Sequence, residues 1–194
     1  MNAPRLLRLA LTLLPVAAAG LAGAGSSPIV HAEHLDAVLV VVPDAASLVV
    51  VDTVTHAVRA EIPVPADPRS VAVVGRTAWV SSSSAVTAID LATGLVRARV
   101  DDGDRFRGII ADPTGARIWV AEESADVVRE LNAATLATLR RIAVPGRPRG
   151  LALVDDTTAL LVTHLLRGTV SWIDLATGAV TEVPLFPDSN LVQA

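Results

Sequence analysis

Short apolar segments separated by turn residues dominate the chain after residue 36, and their pattern is that of β-strands. They are rich in Val, Ile, Thr and Trp, and no helical periodicity runs through them. Pro113 and Gly115 predict a tight turn, because proline presets φ and glycine tolerates positive φ. Around that turn the pattern predicts strands at 107–112, 116–121, 126–132 and 136–144. We therefore expect an all-β fold.

The chain repeats itself at a nearly constant period. In three repeat units the third predicted strand ends at a residue whose side chain has an oxygen acceptor. An arginine then stands at the start of the next unit. These positions are Asp52 with Arg69, Asp90 with Arg107, and Asn132 with Arg149. Each pair is 17 residues apart, and successive arginines are 38 and 42 residues apart. Four antiparallel strands repeating at roughly 40 residues are typical of a β-propeller blade. A β-sandwich is the alternative, but it does not require repetition in constant register.

The repeat predicts about four blades. We place them at 37–64, 69–100, 107–144 and 149–185, followed by a tail at 186–194. Blade 1 is predicted to lack its innermost strand, because residues 33–36 leave no room for one. Four blades are near the bottom of the usual range of about four to eight. We therefore expect an incomplete, open propeller, the N-terminal portion of a longer one. The alternative is a small propeller or one that oligomerisation completes, and the exposed sheet faces of an open arc predict self-association.

Residues 1–32 have the three-part pattern of a secretory signal peptide. Arg5 and Arg8 supply a positive start, Leu9–Ala24 is an apolar run, and Val30-His31-Ala32 offers small residues at a cleavage site. Cleavage after Ala32 would leave the blades at 33–185 and a periplasmic or secreted product. The alternative is an uncleaved membrane anchor, although the apolar run is short for a span of about 20 residues and contains a proline.

Composition excludes several classes of protein. The chain has no cysteine, so disulfide scaffolds, thiolate metal sites, CxxCH haem attachment and cysteine nucleophiles are absent from it. The formal net charge of −4 argues against a nucleic-acid binder, which needs a basic face. No set of residues forms a recognisable catalytic, cofactor or metal signature, so none is assigned.

The ends of the second predicted strands carry a recurring four-residue motif. Its four copies are Val41-Val42-Pro43-Asp44, Trp79-Val80-Ser81-Ser82, Trp119-Val120-Ala121-Glu122 and Leu161-Val162-Thr163-His164. In pattern and period the stretch 37–184 resembles the YVTN-type bacterial β-propeller repeats, a family that includes secreted YncE-like proteins. The resemblance implies an exported β-propeller, but it implies no single activity because such repeats serve unrelated tasks.

Strand direction brings two sets of side chains to the same end of the predicted propeller. The loops that enter each first strand and those that join the second strand to the third share one face. We therefore expect five ligand-binding candidates at the channel mouth: Arg69, Arg107, Arg149, Glu122 and His164. A ring of guanidiniums could hold a carboxylate, a phosphate or an acidic partner. The alternative is that the arginines only satisfy carbonyls or pair with acids such as Asp67, Asp104 or Glu122.

The sequence favours a binding or scaffold module of the cell envelope over an enzyme. Its partner would be an envelope protein or a small anionic ligand held at the channel mouth. Nucleic acid is not expected, and membrane contact is expected only through an uncleaved leader. Two alternatives remain: a lactonase-like or quinoprotein-like propeller enzyme, and the propeller part of a c-type cytochrome or peroxidase-like redox protein whose haem lies outside these residues.

Overall fold

The computed structural model describes residues 25–154 and 158–185. Within these ranges the chain forms four antiparallel sheets of four strands each, which confirms the all-β prediction. We refer to the sheets as blades 1 to 4 in chain order. Blade 1 contains β1 Ile29–Ala32, β2 Ala37–Val42, β3 Ser47–Asp52 and β4 Val58–Pro63. Blade 2 contains β5 Pro68–Val74, β6 Thr77–Ser82, β7 Val86–Asp90 and β8 Leu95–Val100. Blade 3 contains β9 Phe106–Ala111, β10 Arg117–Glu122, β11 Val127–Asn132 and β12 Thr138–Ala143. Blade 4 contains β13 Pro148–Val154, β14 Ala159–His164, β15 Thr169–Asp174 and β16 Val180–Pro184.

Two 3-10 turns, at Glu33–Leu35 and Glu123–Ala125, are the helical elements of the described chain. In residues 25–154 and 158–185, no helix is long and apolar enough to cross a bilayer.

Blade 1 has an innermost strand, so the prediction that it lacks one is wrong. Residues Ile29–Ala32 pair antiparallel with β2, with Val30 opposite Leu39 and Ala32 opposite Ala37. Sequence analysis did not predict this strand because its residues also fit the end of a secretory leader. Of the predicted leader, residues 1–24 lie outside the described residues, as does the predicted tail at 186–194.

Neighbouring blades pack face to face around three apolar cores. The first strands of successive blades, β1, β5, β9 and β13, contact one another in that order. Trp79 packs between blades 2 and 3, and Trp119 packs between blades 3 and 4, with 3% and 2% of their surfaces exposed. Each blade therefore depends on its neighbours for a core, as expected of a repeat protein.

The acceptor side chain at the end of each third strand closes a turn. Asp52 Oδ1 accepts hydrogen bonds from the backbone N–H groups of Val54 at 2.8 Å and Thr55 at 2.7 Å. Asp90, Asn132 and Asp174 make the same kind of bond to the turn that follows them. This local bonding explains why the acceptor recurs in every blade, and it accounts for these side chains without a catalytic role.

Residues Gly25–Ser27, here called the axial segment, run across the inner strands of three blades. Ser26 donates its N–H to Leu151 O of blade 4 at 2.8 Å, and Ser27 O accepts from Val71 N of blade 2 at 2.9 Å. A Cβ at Gly108 in blade 3 would lie 2.5 Å from Ser26 Oγ. A glycine at that position thus makes room for the axial segment.

The outer faces of the two end blades are apolar, and no residue in the described ranges covers them. On blade 1, alternate residues of β2 are fully buried against blade 2, while their neighbours on the other face are half-buried. That free face of blade 1 carries Val38, Val40, Val42, Val49 and Val51. The free face of blade 4 carries Ala152, Leu161 and Trp172, which oppose one another in register. In blade 3 the corresponding row of Ile110, Trp119 and Glu130 is buried.

Candidate functional site

Two arginines from different blades meet one buried carboxylate at the channel mouth. Arg107, near the start of β9, donates from Nε to Glu123 Oε2. Arg149, near the start of β13, places Nε 3.1 Å from the same oxygen. Arg105 places Nη1 3.5 Å from Glu123 Oε1. We call these four residues the Glu123 cluster.

The Glu123 cluster carries more positive than negative charge. The Glu123 side chain is 1% exposed, and burial alone would raise the pKa of its carboxyl group. The hydrogen bond from Arg107 and the charges of Arg107, Arg149 and Arg105 outweigh burial and lower that pKa. One ionised carboxylate is thus shared by three guanidiniums, which leaves two positive charges uncompensated within the cluster.

One donor of the cluster has no acceptor. The Nε of Arg149 is buried and lies close to Glu123. Its N–H nevertheless makes no hydrogen bond with any described residue. Buried N–H donors usually find a partner, and an unsatisfied donor costs free energy. The Arg149 side chain as a whole is 39% exposed, so an anion at the mouth would meet its guanidinium from the solvent side.

A polar cavity of about 410 Å³ opens beside the cluster. Its walls are formed by Asp104, Arg105, Glu123, Ser124, Asp126 and Arg147. Asp126 holds the backbone of this wall, since its Oδ1 accepts from Arg147 N at 2.8 Å. The Arg147 guanidinium forms no ion pair with any residue in the described ranges. The cavity is therefore lined by three carboxylates and two guanidiniums, and one of these guanidiniums, that of Arg147, has no acidic partner among the described residues.

Arg69 does not join the two arginines, so the predicted ring is incomplete. Its Nη2 lies 2.5 Å from Asp67, two residues earlier in the chain. The Arg69 side chain is 40% exposed. The local pairing that the sequence left open as an alternative is what the structure shows at this position.

Glu122 points away from the cluster, because successive residues of an extended chain project to opposite sides. Its Oε2 lies 2.7 Å from Nε of Arg129 and 3.0 Å from Nη2 of Arg141. Arg129 also donates to Asp102 Oδ1 at 2.6 Å and stacks 5.2 Å above the Phe106 ring. Burial lowers the pKa of Arg129, but Glu122 and Asp102 outweigh burial and raise it. Glu122 thus belongs to a structural network inside blade 3.

His164 lies at the end of β14 and binds within its own blade. Its Nε2 is 2.8 Å from Ser171 Oγ, and its buried Nδ1 has no hydrogen-bond partner in the described chain. Burial lowers the pKa of His164 below its ordinary value of 6.5. The imidazole is accordingly neutral at physiological pH.

Replacing His164 with glutamine is expected to weaken the acid sensitivity of the fold. The folded chain holds His164 at a lowered pKa, so below pH 6.5 the unfolded chain binds the extra proton. The free energy of unfolding should therefore fall as pH drops below 6.5, and His164→Gln should flatten that fall. Urea unfolding midpoints between pH 7.5 and pH 5 measure the effect. His31→Gln, at an exposed histidine, is the control. An unchanged slope in His164→Gln would contradict the burial argument.

The sequence missed Glu123, Arg105 and Arg147. The adjacent pair Glu122-Glu123 could have indicated Glu123. Neighbouring residues of an extended chain project to opposite sides, so if Glu122 faces the sheet, Glu123 faces the channel. Among the described residues, no three acidic or histidine side chains are arranged to hold a metal ion.

Comparison with solved structures identifies the architecture. The chain superposes on Kuenenia stuttgartiensis hydrazine synthase with a TM-score of 0.72 and 21% identity, covering 77% of this chain and 46% of that one. It superposes on the dihydro-heme d1 dehydrogenase NirN in complex with DHE with a TM-score of 0.66 and 18% identity, covering 82% and 37%. For the β-propeller domain of Myceliophteria thermophila Cps50 (Swd1), the TM-score is 0.64 and the identity 14%, covering 81% and 54%.

The chain is an open β-propeller. It spans about half of the length of these solved structures or less. At these identities the likeness concerns the fold alone. No protein-family profile matches the chain. No curated protein matches it either.

Proposed function

We propose that this propeller is an exported binding module of the cell envelope, which holds a small anionic ligand at the Glu123 cluster. The observation that carries the proposal is the single buried carboxylate of Glu123 that three arginines share, which leaves two positive charges uncompensated within the cluster. The leader pattern of Arg5, Arg8 and the apolar run supports export. The repeat pattern supports membership of the YVTN-type propellers.

The cluster suits a carboxylate or phosphate group. Guanidinium groups bind such oxygens through two parallel N–H donors, and charge-assisted hydrogen bonds are stronger than neutral ones. Glu123 holds Arg107 and Arg149 in place at the rim, while the neighbouring cavity of about 410 Å³ has room for a small organic acid. Arg147 offers a further guanidinium from the cavity wall.

Calorimetric titration with succinate, and separately with inorganic phosphate, tests the proposal. We expect one binding site on the full chain, and Arg149→Gln should weaken binding at least about tenfold because a charged hydrogen bond is lost. Arg69→Gln is the matched control, since it changes the same repeat position outside the cluster. Absence of binding for both probes, or equal loss in the two variants, would contradict the proposal.

The alternative that the channel mouth is an enzyme active site has less support than the binding module. The enzyme alternative depended on Glu122 and His164 acting with the arginines, but Glu122 is held by Arg129 and Arg141, and His164 is held by Ser171. The likeness to hydrazine synthase and NirN concerns the fold and carries no activity over to this chain. No observation on the described residues favours a redox role.

We also propose that a second copy of this chain covers the free faces of blades 1 and 4. Inside the chain, the face of blade 3 that carries Trp119 packs on the opposite face of blade 4. The free face of blade 4 presents Leu161 and Trp172 in the same row, and blade 1 presents a valine surface to match. Two arcs joined in this head-to-tail manner would form a closed ring.

A further inference from the structure

The sequence holds a second small-residue site upstream of the one at Val30-His31-Ala32. Ala22-Gly23-Ala24 forms the end of the apolar run and has alanine at both positions that a leader peptidase reads. The two sites differ by eight residues, Gly25 to Ala32. What those eight residues do in the folded chain distinguishes the sites.

Four of the eight residues form the innermost strand of blade 1. Strand β1 pairs with β2 along its full length, and Ala32 is 2% exposed in the core shared with blade 2. Pro28 extends the pairing, because its carbonyl accepts from Val41 N at 2.9 Å. Without these residues β2 would become an unprotected inner edge, and Leu39 would lose its cover.

The axial segment ties three further blades together. Ser26 exchanges two hydrogen bonds with Leu151, from its N–H at 2.8 Å and to its Oγ at 2.9 Å. Ser27 O accepts from Val71 N at 2.9 Å and from Ser70 Oγ at 3.0 Å. Ser26 packs closely against Gly108 of blade 3, where a Cβ would lie 2.5 Å from Ser26 Oγ and 2.5 Å from the Arg149 carbonyl oxygen. Blades 2, 3 and 4 are thus shaped to receive residues that cleavage after Ala32 would remove.

We propose that the leader is cut after Ala24, so that the mature chain begins at Gly25 and keeps the axial segment and β1. The inference rests on the proposed export of the chain. The leader is removed before the chain folds, so the fold does not direct the peptidase. The structure instead shows which cleavage product keeps every strand of the fold. A chain cut after Ala32 would lack one strand of blade 1 and the bonds to Leu151 and Val71.

The mature N-terminus tests this directly. The full precursor is expressed in a bacterial host, and the intact mass of the chain recovered from periplasm and medium is measured. A product that begins at Gly25 supports both the export and the cleavage site. A product that begins at Glu33 overturns the cleavage site and leaves export standing. An uncut chain in the membrane overturns the cleavage site, and an uncut chain in the cytoplasm overturns both.

A paired substitution separates the two sites in the same assay. Ala24→Phe places a bulky residue where the peptidase needs a small one, so the precursor should accumulate uncut. Ala19→Phe makes the same change within the apolar run and should be processed normally. Processing of Ala24→Phe at the unchanged wild-type position would overturn the proposal.

Discussion

Replacing Glu123 with glutamine is expected to lower the free energy of unfolding by about 2–3 kcal/mol and, at the same time, to strengthen anion binding. The stability loss follows because removing one member of a buried ion pair leaves its partners uncompensated. Arg107 accounts for most of this loss, because only 14% of its side chain is exposed and water cannot replace the carboxylate. The more exposed Arg149 and Arg105 are solvated by water instead. Chemical unfolding of Glu123→Gln against the wild-type chain measures this loss.

Glu123→Gln is thus expected to lower the free energy of unfolding but to raise the affinity for succinate, and these opposite changes make the variant informative. Without the Glu123 carboxylate, the arginines have no anion of their own, so succinate should bind several-fold more tightly to Glu123→Gln. A residue with a purely structural role would lower both quantities together. Glu61→Gln, an exposed carboxylate on β4, is the control and should change neither. Weaker succinate binding by Glu123→Gln would contradict the proposed site.

Placing a lysine at Trp172 is expected to convert an associated chain into a monomer. Trp172 is 39% exposed and lies in the middle of the free face of blade 4. A second copy that packs there would bury an unpaired ammonium group, which costs several kcal/mol and shifts the association equilibrium by roughly a hundredfold or more. Light scattering after size-exclusion chromatography measures the mass of each species.

Head-to-tail packing makes a further, more specific requirement. Val40→Lys, on the free face of blade 1, should abolish ring closure as Trp172→Lys does, because each ring contact uses both faces. Mixing the two variants should restore association through the one contact whose faces are both intact. Leu139→Lys, at an exposed residue of β12 away from both free faces, is the control. A wild-type chain that stays monomeric at high concentration would contradict the second-copy proposal.

Local pattern was sufficient to predict most of the fold. The four strands of blade 3 lie within two residues of the segments predicted at 107–112, 116–121, 126–132 and 136–144, because each apolar run is bounded by residues that terminate strands. The innermost strand of blade 1 was missed for a physical reason. A short run of small and β-branched residues satisfies a leader peptidase and a β-sheet equally well, and only the pairing of Val30 with Leu39 shows which role it fills.

The candidate site was less accessible to sequence reasoning. The equal spacing of the repeat predicted that Arg107 and Arg149 lie near each other, and both contact Glu123 in the structure, while their role in ligand binding stays a prediction. The spacing also placed Arg69 with them, although Asp67 holds that side chain locally. Which of the adjacent residues Glu122 and Glu123 faces the channel depends on the register of β10, and a bulge between Val120 and Glu122 shifts that register. No one-dimensional pattern shows such a shift.

The Nε–H signals of the arginines test the central claim most directly. In a chain labelled with ¹⁵N-arginine, each signal is assigned by single Arg→Gln variants, and succinate is added stepwise. The account predicts a large shift of the Arg149 Nε–H, because the exposed end of that guanidinium binds the anion, and no shift of the Arg129 Nε–H, which donates to Glu122 at 2.7 Å. An unmoved Arg149 signal, or equal small shifts across all arginines, would contradict it.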